Sequence, residues 1–254
     1  MRILLSNDDG IHAPGLAVLE RIARTISDDI TIVAPIEEQS GKGRSLTLTE
    51  PVRLRNFGEK RWAVTGTPTD AVMFALGEIM KDAKPDLILS GVNRGANLGE
   101  DVSYSGTVAA AMEGAQAGIR SIALSQRYET TGLGADVSFA AAEVWGERVL
   151  RPLLDAPLGH RTLVNVNFPP VAPDDVKGVR VVAQGLRDYG RVKLDKRKDP
   201  RGFDYYWLNL GRIPHTPMEA TDLEAIEQGY VTVTPLHLDL THYASLVMLN
   251  EKFA

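Results

Sequence analysis

The residues that most constrain this chain are Met1-Arg-Ile-Leu-Leu-Ser-Asn-Asp-Asp-Gly10. The apolar run Ile3 to Leu5 reads as a buried strand that stops at Ser6-Asn7. Two carboxylates follow side by side, Asp8 and Asp9, and then Gly10, Pro14 and Gly15 lead into an amphipathic segment. There Leu16, Leu19, Ile22, Ala23 and Ile26 recur at helical spacing. A β-branched run, Ile30 to Val33, comes next and ends in Ala34-Pro35. Strand, helix and strand in this order make the βαβ unit of a parallel sheet.

The two acids therefore sit where the carboxyl end of a strand turns toward a helix, and open α/β sheets bind ligands there. Adjacent carboxylates repel, and both stay ionised at low cost only opposite a cation or many donors. A hard divalent cation held by oxygens suits such a pair. On these residues alone the alternative stands equally: one Asp caps the helix and the other is solvated.

The rest of the composition narrows the class. A chain of 254 residues with 44% hydrophobic and 24% charged residues has the make-up of a soluble globular protein. It buries a substantial core without staples. The absence of cysteine excludes disulfides and thiolate metal sites, leaving oxygen or histidine ligands. A formal net charge of −5 exerts no global pull toward nucleic acid. Three apolar residues before Asp8 are too few for a signal-peptide core, and no apolar run approaches the ~18 residues of a membrane span. The expectation is a cytoplasmic protein with no membrane and no stable nucleic-acid partner.

Further loops leave the same edge. Ile36 to Ser45 follows the second strand and carries Ser40 and Gly41-Lys42-Gly43. A Walker loop needs a glycine at position 36, which is Ile, and a Rossmann fingerprint needs one at 46, which is Leu. Ser45 to Leu48 and Arg61 to Val64 have strand character. Thr67 reads as a cap, with Pro68 at the first helical position and Asp70 placed for a capping box, ahead of a helix over Ala71 to Met80. Asp86 to Ser90 is another buried strand, followed by a Gly-, Asn- and Ser-rich stretch from Gly91 to Thr107. Loops of this kind usually run to about 2–6 residues, so the excess points to a site. Ser105-Gly106-Thr107 opens the helix-forming run that starts at Val108, where free N–H groups and hydroxyls make an anion site or an ordinary Ser cap.

Ser121 to Leu124 and Thr162 to Phe168 are strands, with a helix over Ala135 to Leu150 between them. The α/β core is expected to end near residue 170. Beyond it come a strand at Val179 to Val182, a charged stretch from Arg187 to Arg201 and an aromatic strand from Phe203 to Leu210. A short helix over Thr221 to Ile226 and a final strand over Gly229 to Thr234 complete the pattern. This reads as a core over 1–170 and, over 171–254, a β-hairpin, terminal strand and C-terminal arm used for oligomerisation. An extended β-appendage leaves an edge that a partner subunit would cover. The five histidines are scattered, and none pair four residues apart, so no zincin-type motif exists. His12 lies near the acids but is not counted as catalytic.

Asp8, Asp9, Ser40 and Asn93 together make an all-oxygen cluster suited to Mg²⁺ or Mn²⁺ rather than zinc. With an anion-binding helix start beside it, the chemistry expected is phosphate ester hydrolysis, with the metal bridging the phosphoryl group and orienting or deprotonating a water.

Five segments then identify a family. They are Ser-Asn-Asp-Asp-Gly at 6–10, Val-Ala-Pro at 33–35 with Ser-Gly at 40–41, and Gly-Thr-Pro-Thr-Asp at 66–70. The others are Ser-Gly-Val-Asn-Arg-Gly-Ala-Asn-Leu-Gly at 90–99 and Tyr-Ser-Gly-Thr-Val-Ala-Ala-Ala-Met-Glu-Gly at 104–114. In order and spacing they resemble the SurE family of stationary-phase survival proteins, 5′/3′-nucleotidases. The resemblance runs from Met1 to about residue 125 and, more weakly, to the Gly-Tyr-Val-Thr-Val-Thr-Pro-Leu near 229–236.

The resemblance implies a phosphohydrolase acting on nucleoside 5′- and 3′-monophosphates with one divalent metal ion, Mg²⁺ or Mn²⁺, per subunit. By motif position Asp8, Asp9, Ser40 and Asn93 would be metal ligands, with Asp8 and Asp9 catalytic. Asn97, Ser105, Gly106 and Thr107 would line the phosphate pocket. It further implies a Rossmann-like three-layer α/β core and homodimers or homotetramers built through the hairpin and C-terminal arm. The alternative is a non-catalytic phosphate- or nucleotide-binding module, or a receiver-like signalling domain. A receiver needs a phospho-accepting Asp after another central strand, and these strands end in Val33-Ala-Pro35 and Ser90-Gly-Val-Asn93.

Overall fold

A computed structural model describes residues 1–128, 137–187, 192–210 and 218–253. The start of the helix expected at Ala135, and Asp188, Arg191 and His215, lie outside the described residues. The opening unit forms as its pattern requires: β1 (Ile3–Ser6), α1 (Pro14–Arg24) and β2 (Ile30–Pro35), with β1 and β2 parallel. Pro14 starts α1, whose Leu16, Leu19, Ile22 and Ala23 are buried.

The chain continues with β3 (Leu54–Gly58), β4 (Arg61–Val64), α2 (Pro68–Phe74) and β5 (Leu87–Arg94). Next come α3 (Gly106–Gln116), β6 (Arg120–Gln126), α4 (Ala140–Leu154), β7 (Thr162–Phe168) and β8 (Val179–Val181). The last elements are β9 (Val192–Lys198), β10 (Asp204–Leu210), α5 (Asp222–Glu227), β11 (Val231–His237) and α6 (Tyr243–Phe253). Among the described residues nine strands form one sheet in the order β3-β4-β2-β1-β5-β6-β7-β11-β8, parallel except where β3 meets β4 and β11 meets β7.

Helices cover both faces. Ile3 and Leu5 pack with Leu16, Leu19, Ala141 and Ala142 of α1 and α4, whereas Leu4 and Ile88 pack with Ala71 and Val72 of α2 and Ala110 of α3. This alternation along β1 is the period-2 geometry of a strand buried on both sides. It produces three layers. The chain leaves β1 toward β2 and later returns to β5 on β1's other flank, so the loops after β1 and β5 diverge and open a crevice.

Several expectations change. Ser45 to Leu48 is not a strand. The Thr47 N–H and hydroxyl donate to Asp70, at 3.3 and 2.6 Å, and the Thr67 hydroxyl donates to the Ser45 carbonyl at 2.8 Å. The segment is thus bound to the capping box of α2, and β3 takes its place beside β4. The helix expected over Ala71 to Met80 starts at Pro68 and ends in a π turn over Ala75–Ile79. β5 runs on to Arg94 through a register shift between Ser90 and Asn93, so Asn93 belongs to a strand end rather than a free loop. The helix after β6 starts at Ala140. The sheet also continues past residue 170, because β11 and β8 join it beside β7. What stands apart from the sheet is the β9–β10 hairpin.

Candidate active site

The acids lie on the loop leaving β1, at the crevice. Asn7 shapes this turn, donating its amide to the Gly10 carbonyl at 2.9 Å and accepting from the Gly10 N–H at 3.3 Å. Asp8 is buried beneath the start of α3, and the Thr107 hydroxyl donates to its Oδ1. A Cβ on Gly106 would lie 2.7 Å from the Asp8 Cβ and 3.0 Å from Pro68 Cγ, so only glycine lets the helix start approach this closely. Asp9 is half-buried and accepts the Arg94 N–H at 3.0 Å, which ties it to the end of β5. The Gln39 N–H donates to the Asp8 carbonyl at 2.7 Å and draws the loop after β2 alongside. The Gly43 N–H donates to the Tyr104 carbonyl at 3.0 Å, joining that loop to the approach to α3.

Electrostatics sets the acids apart. Burial pushes the Asp8 carboxyl above its ordinary range, opposed by hydrogen bonds from Thr107 and by the Asp8 backbone N–H, and Glu38 adds repulsion. Burial also pushes Asp9 up, to about 6, helped by the charges of Asp8 and Glu38 and opposed by the Arg94 N–H and charge. Among the described residues neither acid forms an ion pair. Two carboxylates held together against repulsion and desolvation are a donor set that a cation would relieve.

The other expected ligands are placed less directly. Ser40 is exposed, and its hydroxyl donates to Glu38 Oε1 at 2.9 Å. Asn93 donates its amide to the Gly95 carbonyl at 2.8 Å, which fixes the orientation of its amide oxygen. Among the described residues no three of His, Cys, Asp and Glu gather as a metal cluster. Any metal here would rely on the two carboxylates with neutral oxygens and water, which fits Mg²⁺ or Mn²⁺.

On the anion side, Ser105 caps α3 by accepting the Val108 N–H at 3.0 Å. The Thr107 hydroxyl donates to Asp8, which ties the start of α3 to the acid. Asn97 is buried against β6 and β7 and makes no hydrogen bond to either acid. His12 packs edge-on against Phe57, with ring centroids 5.3 Å apart.

Sequence reasoning missed Glu38 and Arg94, which act on the acids, and Ser125, Asn165 and Asn167, which surround Asn97. The two asparagines had a legible signal: they alternate with Val164 and Val166 in a fully buried strand, where amides are costly unless bonded.

The chain is similar to known proteins. A family model described as Survival protein SurE matches residues 3–191. A protein of Rhizorhabdus wittichii named 5′-nucleotidase SurE is 71% identical over 246 residues, covering 97% of each chain. A protein of the same name from Erythrobacter litoralis is 59% identical over 253 residues, covering 100% of each. Among solved structures, the crystal structure of SurE protein from Aquifex aeolicus matches with a TM-score of 0.83 at 38% identity, covering 100% of both chains. A family model over residues 3–191 and relatives of this identity over nearly the whole chain have one reading: the chain belongs to the survival protein SurE family.

Proposed function

We propose that this chain is a metal-dependent 5′-nucleotidase that releases phosphate from nucleoside monophosphates, with 3′-monophosphates as further substrates. The observation that carries the reading is the junction of Asp8 with the start of α3, where a carboxylate pair and the N–H groups of a helix meet. The names of the relatives at 71% and 59% identity supply the substrate class.

Asp8, Asp9, Ser40 and Asn93 would hold one Mg²⁺ or Mn²⁺, and Asn97, Ser105, Gly106 and Thr107 would form the phosphate side. When bound, the ion supplies Lewis-acid polarisation of the phosphoryl group and makes water a stronger nucleophile at neutral pH. The chain's own contribution is placement. Thr107 opposes protonation of Asp8 and aims it, the Arg94 N–H holds Asp9, and Ser105 fixes the helix start whose first N–H groups would meet the anion.

The hairpin and α6 would serve oligomerisation. Leu194, Trp207 and Leu208 on the hairpin are exposed, as are Leu246, Val247 and Leu249 on α6. Apolar surface of this kind fits burial in a homodimer or homotetramer. A monomer by light scattering would overturn that assignment. No described helix is long and apolar enough to cross a membrane.

The test is phosphate release from a panel of nucleoside monophosphates with Mg²⁺, Mn²⁺ or chelator, for the parent and Asp9→Asn. Metal-dependent release lost in the variant is expected. No release with either metal from a folded chain overturns the reading and leaves a phosphate-binding module.

A further inference from the structure

Asn97 is held at both ends of its backbone by side chains of β7 and at its own side chain by β6. Its N–H donates to Asn167 Oδ1 at 2.8 Å, and its carbonyl accepts from Asn165 Nδ2 at 2.8 Å and Asn167 Nδ2 at 3.1 Å. Its own amide donates to the Ser125 hydroxyl at 2.8 Å. Ser125 and Asn167 are register partners on β6 and β7, so the Asn97 peptide lies over one strand pair. Asn165 and Asn167 are fully buried, on the face opposite Val164, Val166 and Phe168, which pack in the main core.

We infer that Asn165 and Asn167 are positioning residues for phosphate binding, acting through Asn97. The inference rests on the nucleotidase reading, in which Asn97 lies on the phosphate side. A buried amide costs stability unless all its groups are bonded. Apolar residues at 165 and 167 would pack in this strand without that cost. The two amides instead clamp the backbone of a single residue, in the segment that links Asn93 to Ser105. Holding a binding group within a fraction of an ångström is what a supporting shell contributes to a site. The rest of the segment has separate anchors: Gly99 N–H donates to Asp222 at 2.9 Å, and Arg187 donates to the Leu98 carbonyl at 3.1 Å. Loosening Asn97 therefore leaves the loop attached.

The test uses the full chain with Mn²⁺, comparing the parent with Asn165→Asp, Asn167→Asp and Ser125→Ala. Each Asp keeps the side-chain volume but turns an oxygen, rather than an N–H, toward the Asn97 carbonyl. Ser125→Ala removes only the acceptor for the Asn97 amide and checks separately that the placement of Asn97 affects phosphate binding. Inorganic phosphate is the probe, read as inhibition of nucleoside monophosphate hydrolysis and by calorimetry. The phosphate constants and KM are expected to rise about tenfold while the Mn²⁺ activation constant stays parental. In an Asn97→Ala background the same substitutions should add nothing.

Parental phosphate constants in folded variants overturn the inference, as does an undiminished effect in the Asn97→Ala background. Failure of both Asn variants to fold overturns it too, since the side chains would then serve the fold. A parent that binds phosphate but shows no metal-dependent hydrolysis overturns the nucleotidase reading alone, and calorimetry still tests the clamp. A parent that neither hydrolyses nor binds overturns both.

Discussion

Thr107, the second residue of α3, donates its hydroxyl to Asp8, the first acid after β1, across 99 residues of sequence. The bond is the largest of the contributions that oppose burial, which drives Asp8 toward protonation. Thr107→Val keeps the shape of the side chain and removes the donor. The variant should need about 10- to 100-fold more Mn²⁺ for half-maximal activity. Thr107→Ser keeps the donor and should remain near the parent. A metal titration of hydrolysis separates the two outcomes.

Gly106→Ala tests how tightly the helix start is pressed on the acid. The new methyl would meet the Asp8 Cβ at 2.7 Å, with Asp8 Oδ2 and Pro68 Cγ each at 3.0 Å. Alanine favours helix more than glycine by about 1 kcal/mol, whereas overpacking costs about 1–3 kcal/mol. The contact falls on the acid itself, so activity should suffer more than stability. The expected result is a loss of about 100-fold in kcat/KM with a modest fall in unfolding free energy.

Asp9 gives the metal-free chain a pH dependence of definite sign. Its folded-state value is raised from 3.8 to about 6, by burial first and then by Asp8. The folded state therefore holds this proton more tightly than the unfolded state. Its contribution to stability is most favourable below about 3.8 and is lost as pH rises through about 6. Without metal, Asp9→Asn should melt above the parent at pH 8 and lose that advantage at pH 4. Added Mn²⁺ should raise the parent's melting temperature at pH 8 and leave the variant's unchanged.

Which parts were legible follows from the range of the interactions. β1, α1 and β2 were readable because burial imposes periods of 2 and 3.6 on contiguous residues. The acids and the Ser105 cap were readable because their residue types carry their chemistry locally. The strand expected at Ser45–Leu48 failed for a long-range reason: Asp70, 23 residues on from Thr47, takes the Thr47 N–H, and Thr67 takes the Ser45 carbonyl, both groups that a ladder would need. The same holds for Glu38 and for Asn165 and Asn167, whose roles depend on which strands become neighbours. The hairpin's place outside the sheet was expected, whereas the entry of β8 and β11 into it was not, because a boundary drawn from composition is blind to pairing.

Gly15 shows how a residue read as helix punctuation can have a packing cause instead. It is the second residue of α1, and a Cβ there would lie 1.9 Å from the Val92 carbonyl oxygen and 3.2 Å from Phe139 Cε1. The backbone of α1 thus rests directly on β5, one residue before Asn93. Gly15→Ala forces the helix and strand apart and should destabilise the chain by about 3 kcal/mol, well beyond the propensity gain. Gly77, in the π turn after α2, has nothing within 4 Å of its added Cβ. Gly77→Ala should therefore stabilise by about 0.5–1 kcal/mol, through the unfolded chain. Urea denaturation of both variants checks the contrast, and equal effects of the two substitutions would refute the close approach of α1 to β5.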